Sequence, residues 1–150
     1  MSEYPKTMTR LLFLAVFAAG ARAEFLEMRV FVKDMNCESC TQNLEATFKR
    51  MRSVESVDVD FKAGTIALKL AEKNRLSPEQ VWDAIKRVGF TPGATEVRVR
   101  GSINNGKLEV AEAAKTYEIE GKTSGENVEL TGKTMPPADP RTPVRIKVGD

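Results

Sequence analysis

The sequence contains no histidine. That removes every Ser-His-Asp or Cys-His catalytic arrangement, every imidazole metal site and the commonest general base. Cysteine is almost as scarce, with only Cys37 and Cys40 in 150 residues. An excess of one charge is missing too, because 23 Lys and Arg stand against 21 Asp and Glu, a formal net of +2. No strongly basic field exists for nucleic acid and no acidic one for a basic partner. With 41% apolar and 29% charged residues, the composition is that of an ordinary soluble globular chain and argues against disorder. A chain of 150 residues fits one or two small domains and excludes a large multidomain enzyme. Side-chain chemistry therefore falls to the two cysteines, and no enzymatic activity is expected.

Long apolar runs are also lacking. The one at Leu11–Ala19 has nine residues, whereas a membrane-spanning helix needs about 20. Lys6 and Arg10 precede this run, Arg22 cuts it short, and Ala21-Arg22-Ala23 gives a small-x-small pattern. Residues 1–23 thus read as a secretory signal peptide. Cleavage after Ala23 would remove three Lys/Arg and one Glu, leaving 20 residues of each sign and a mature charge of zero. No cysteine stands at the cleavage point to take a lipid. The expected product is soluble, periplasmic or secreted, with no membrane association after cleavage. In such a compartment paired thiols tend to oxidise.

Beyond Ala23 the chain alternates with period two or period 3.6. Met28, Val30 and Val32 alternate with Arg29, Phe31 and Lys33, a strand pattern. Leu44, Phe48 and Met51 share one face of a helix that opens near Glu38. Val54, Val57, Val59 and Phe61 mark a second strand, Lys62-Ala63-Gly64 a hairpin, and Ile66, Leu68 and Leu70 a third strand. Ser77-Pro78-Glu79-Gln80 carries an N-cap, a proline at the first helical position and a capping box, with Leu76 and Val81 as a staple. The predicted stripe of that helix is Val81, Ala84, Ile85 and Val88, and Gly89 ends it. A fourth strand is predicted over Glu96–Arg100. The order is βαββαβ.

Beyond residue 100 glycines punctuate short alternating runs: KLEV, TYEIE, NVELT and VRIKV. A Pro-rich loop, residues 135–143, precedes the last. These read as strands separated by turns. The predicted organisation is a signal peptide at 1–23, an α+β domain at 24–95 and a small all-β domain at 96–150. Strand 96–100 is open to assignment to either domain or to both.

Met35-Asn36-Cys37-Glu38-Ser39-Cys40 joins the first strand to the first helix. The spacing lets both sulfurs converge at a helix N-terminus, where free N–H groups and the helix dipole stabilise thiolates. Two thiolates with few other ligands suit a soft, low-coordination ion: Cu(I), then Hg(II). Zn(II) is less well satisfied because it prefers four ligands. A lone C-x-x-C equally admits a thioredoxin-like redox pair or a structural disulfide.

Context adds to this reading. The M-x-C-x-x-C between first strand and first helix is followed by L-x-x-x-F, V-x-x-V-x-V-x-F and a second helix ending in Gly89-Phe90. The pattern resembles the heavy-metal-associated domain family, over roughly residues 28–100. The resemblance implies a ferredoxin-like βαββαβ fold with two helices on one face of an antiparallel sheet. It implies Cys37 and Cys40 as metal ligands, Met35 tucked beneath the loop and Phe90 as an aromatic neighbour of the site. It also implies a metal-transporting or metal-accepting protein as partner. Asp34 and Ser53 stand where the family usually has glycine, and Asp34 adds negative charge near the site.

The other singled-out residues have plainer readings. Met28, Met51 and Trp82 read as core, with Trp82 partly buried. Met135 is a thioether with nothing converging on it. Lys49-Arg50-Met51-Arg52 reads as a solvated helix face, or as a guide for docking on an acidic surface. The β-rich segment, with Gly125–Gly132 as its clearest run, weakly resembles an OB-like or SH3-like barrel. From residue 97 onward it holds nine Lys/Arg, eight Asp/Glu and one aromatic, Tyr117, which disfavours nucleic acid. The expected function is that of an exported metallochaperone or scavenger. The alternatives are a thiol-disulfide oxidoreductase using the same pair, and an interaction module with an incidental metal site.

Overall fold

The structure is a computed structural model and describes residues 23–110 and 115–149. The expected leader therefore lies outside the described residues, apart from Ala23. The elements are β1 (Glu24–Val32), α1 (Glu38–Lys49), β2 (Val54–Asp60), β3 (Thr65–Leu70), α2 (Pro78–Arg87), β4 (Pro92–Asn104), β5 (Lys107–Val110), β6 (Lys115–Glu120), β7 (Gly125–Thr134) and β8 (Arg145–Val148).

Helix starts follow the sequence signals. Ser77 caps α2: its hydroxyl accepts from the Gln80 N–H, and the Gln80 side chain accepts from the Ser77 N–H at 3.0 Å. Leu44 and Phe48 of α1 and Val81, Ala84 and Ile85 of α2 are buried. Met51 lies just past α1 and Val88 caps α2, so both are only partly buried. Trp82 is more deeply buried than its sequence position suggests, at 2% exposed, because its indole N–H finds an acceptor in the Thr95 hydroxyl at 2.9 Å. A buried Trp needs such a partner.

The first four strands form an antiparallel sheet in the order β2-β3-β1-β4. With α1 and α2 this is the expected βαββαβ arrangement. β1 starts earlier than the period alone suggests, because Phe25 enters the core and Glu24 pairs with Arg100. β4 is longer than the predicted five residues, and tertiary pairing explains it. Its first part pairs with β1, its last two residues with β5, and most of its length with β7. The boundary expected at 95/96 falls inside this strand, which serves both halves.

From β4 the chain closes on itself: β4-β5-β6-β8-β7 and back to β4. The β6–β8 pairing is parallel and the other four contacts of this ring are antiparallel. The Asn105-Gly106 turn between β4 and β5 has φ of 51° and 70°, as a two-residue hairpin requires. Gly132 is a close approach: a Cβ there would lie 2.6 Å from Ile146 Cγ2. One continuous buried cluster runs from Leu44 and Phe48 through Val97 and Val99 to Leu108, Tyr117 and Ile146. Tyr117 meets Phe25 edge to face, with centroids 5.4 Å apart.

Candidate metal centre

β1 ends at Val32 and the chain leaves the sheet through Lys33 and Asp34. Cys37 is the N-cap of α1, in an extended conformation, and its side chain makes no capping hydrogen bond. Cys40 is the third helical residue, and its N–H donates to the Cys37 carbonyl at 3.1 Å. The two Cα atoms are 5.2 Å apart and the sulfurs are joined as a disulfide. Both cysteines are half-buried, and Ser39 Oγ lies 2.9 Å from Cys37 Sγ. The reduced pair would share the positive end of α1, where free N–H groups favour sulfur anions.

The donor set is small. Among the described residues no three His, Cys, Asp or Glu side chains converge to hold a metal. Two sulfurs at one helix end suit a digonal soft ion and leave a four-coordinate ion short of ligands. Met35 is 8% exposed and packs in the core, whereas Phe90 is partly buried against it. Met135 lies beyond β7 and is 59% exposed. The Lys49–Arg52 run sits at the far end of α1, about 18 Å along the helix from Cys37, and Lys49 pairs with Glu45.

Asp34 does more than add charge. Its carboxylate accepts from the Thr91 N–H at 2.8 Å and from the Thr91 hydroxyl at 2.9 Å. The Thr91 carbonyl in turn accepts from the Lys33 N–H at 3.1 Å. The Thr91 N–H holds the Asp34 carboxyl below the usual range, against a smaller opposing effect of burial. Thr91, 57 residues away from Asp34, carries no sequence signal that would reveal this pairing.

Residues 29–91 match the family model of the heavy-metal-associated domain. Over this segment the chain is similar to the heavy-metal-associated domain family. The match ends where β4 begins and leaves the closed ring of strands unassigned. Similar solved structures include the yeast copper transporter domain CCC2A in apo and Cu(I)-loaded states, at 18% identity and TM-score 0.41, covering 48% of this chain and 93% of that one. Another is the N-terminal domain of a potential copper-translocating P-type ATPase from Bacillus subtilis in the Cu(I)-loaded state, at 17% identity and TM-score 0.41, covering 46% and 85%. A third is oxidized MerP from Ralstonia metallidurans CH34, at 17% identity and TM-score 0.39, covering 47% and 93%. No curated protein is significantly similar to the chain. Among the described residues, no helix is long and apolar enough to cross a membrane.

Proposed function

We propose that this protein is an exported metallochaperone or scavenger that binds one soft ion, Cu(I) or Hg(II), between Cys37 and Cys40 and passes it on. The observation that carries the reading is the pair of half-exposed sulfurs at the N-terminus of α1, within the matched residues. A thiol reductant first gives two electrons and two protons to the Cys37–Cys40 disulfide, which becomes two thiols while the reductant is itself oxidised to a disulfide. Metal binding then displaces both thiol protons. Transfer follows by exchange: a partner thiolate adds to the ion, and Cys37 or Cys40 leaves. Cys37, outside the helical turns, is the first to leave. Nothing in this sequence of steps needs a general acid or base, so the missing histidines are no obstacle. The partner is a metal-transporting or metal-accepting protein. Export rests on the signal pattern of residues 1–23. The closed ring β4-β5-β6-β8-β7 supports an OB-like reading of the second half.

Competition of the reduced protein against calibrated chelators with Cu(I), Hg(II) and Zn(II) tests the proposal. One equivalent of Cu(I) or Hg(II) should bind far more tightly than Zn(II). A Cys37→Ser/Cys40→Ser variant should lose that binding, and retention of one tight equivalent would sink the reading.

The disulfide favours a second reading, a thiol-disulfide oxidoreductase. Catalysis of insulin reduction by the wild-type protein, with weak Cu(I) binding by its reduced form, would establish it instead.

A further inference from the structure

We propose that Asp34 is a positioning residue for the cysteine loop, an inference that rests on the metal-binding reading of Cys37 and Cys40. The loop leaves β1 at a point where the ladder to β4 runs out. Val32 still pairs with Pro92, but Pro92 has no N–H to give. The neighbouring Thr91 N–H is turned toward the loop, and Asp34 supplies its acceptor. The Thr91 hydroxyl adds a second bond to the other carboxylate oxygen, and Lys33 a third to the Thr91 carbonyl. Asn36 N–H then folds back onto the Asp34 carbonyl at 2.9 Å, and buried Met35 anchors the backbone between them.

The base of the loop is therefore held at Asp34 and Met35, while Cys37 has no side-chain cap of its own. Two charge-assisted hydrogen bonds at one carboxylate are stronger than neutral ones. They limit the conformations open to residues 34–37 when the disulfide is reduced. A loop already ordered loses less freedom on gripping an ion, which is the usual gain from preorganisation. Phe90 adjoins Thr91, so the same clasp fixes this aromatic residue relative to the loop.

The test is Cu(I) competition on the reduced full-length protein and on Asp34→Asn, Asp34→Ala and Thr91→Val, with melting temperatures recorded alongside. Asp34→Ala should weaken Cu(I) binding by about tenfold or more. Asp34→Asn keeps an oxygen for the Thr91 N–H and should recover most of that loss. Thr91→Val keeps the N–H but not the hydroxyl and should fall between them. Wild-type affinity in Asp34→Ala overturns the proposal. Equal losses in the Asn and Ala variants also overturn it, because charge rather than the clasp would then be responsible.

If the wild type itself binds no Cu(I), the metal reading fails, and the clasp is judged by the glutathione equilibrium of the Cys37–Cys40 couple. Loosening the loop in Asp34→Ala should move that equilibrium toward the dithiol by about threefold or more, because the two thiols lose effective concentration. Asp34→Asn should not. No shift in Asp34→Ala overturns the proposal on this arm too.

Discussion

The segment from Glu24 to Thr91 and the segment from Lys107 to Val148 hang on the same strand, yet they offer a ligand very different things. In the first, the exit from β1 carries two sulfurs and a clasped carboxylate to one end of a helix. In the second, the strands hold no sulfur, and paired charges such as Glu118–Arg145 lie on their exposed side. What the second segment adds is packing. Tyr117 closes against Phe25 and donates to Glu79 of α2 at 2.9 Å, while Lys115 pairs with the same carboxylate at 3.3 Å. The inner residues of β4, Val97, Val99 and Ile103, belong to the one buried cluster that both segments share. The segment with the cysteine pair thus shares a strand and a core with a neighbour that holds no cysteine.

Breaking the joint of the shared core should unfold both segments together. Tyr117→Ala removes a fully buried ring and should cost about 3–5 kcal/mol. Urea unfolding followed by Trp82 fluorescence and by hydrogen exchange in β6–β8 should show one coincident transition. Two separate transitions would break the comparison and make the barrel an independent unit. Alkali probes the same joint more gently. Burial, followed by the nearby Glu79 charge, pushes the Tyr117 hydroxyl well above the usual tyrosine range. Its folded-state value is raised, so its contribution is complete below the unfolded value of about 10 and is lost as pH rises above it. Each pH unit beyond about 10 should remove up to about 1.4 kcal/mol, and Tyr117→Phe should flatten that slope. The smallest effect belongs to the outer face of β4. Arg98 reaches Glu27 of β1 at 3.1 Å and Glu129 of β7 at 3.5 Å, but is 42% exposed. Arg98→Ala should shift the urea midpoint by an amount worth less than about 1 kcal/mol. A larger loss would show that the two segments are joined by charge as well as by packing.

Much of the first segment was legible in the linear chain. Ser77 and Gln80 announce α2 because capping is local chemistry within four residues. Ile66, Leu68 and Leu70 announce β3 because alternation is local too. Cys37 and Cys40 are visible for the same reason: three positions at the start of a helix bring two side chains together. Thr91 was not legible, since its bond to Asp34 spans 57 residues and involves a backbone N–H that any residue except proline could supply. Nor was the extent of β4. Its charged alternation marks Glu96–Arg100, but only partners on both edges draw the strand out to Pro92 and Asn104.

By itself, the amino-acid order determined the helices, most strands, the sulfur pair and the absence of imidazole chemistry, because these depend on composition or on neighbours a few residues apart. Tertiary structure alone decided that the second half closes through β4, that Tyr117 joins the two segments in one core, and that Asp34 holds the cysteine loop to Thr91. Each of these is a contact between residues far apart in the chain, and its partner is chosen by packing rather than by any local pattern.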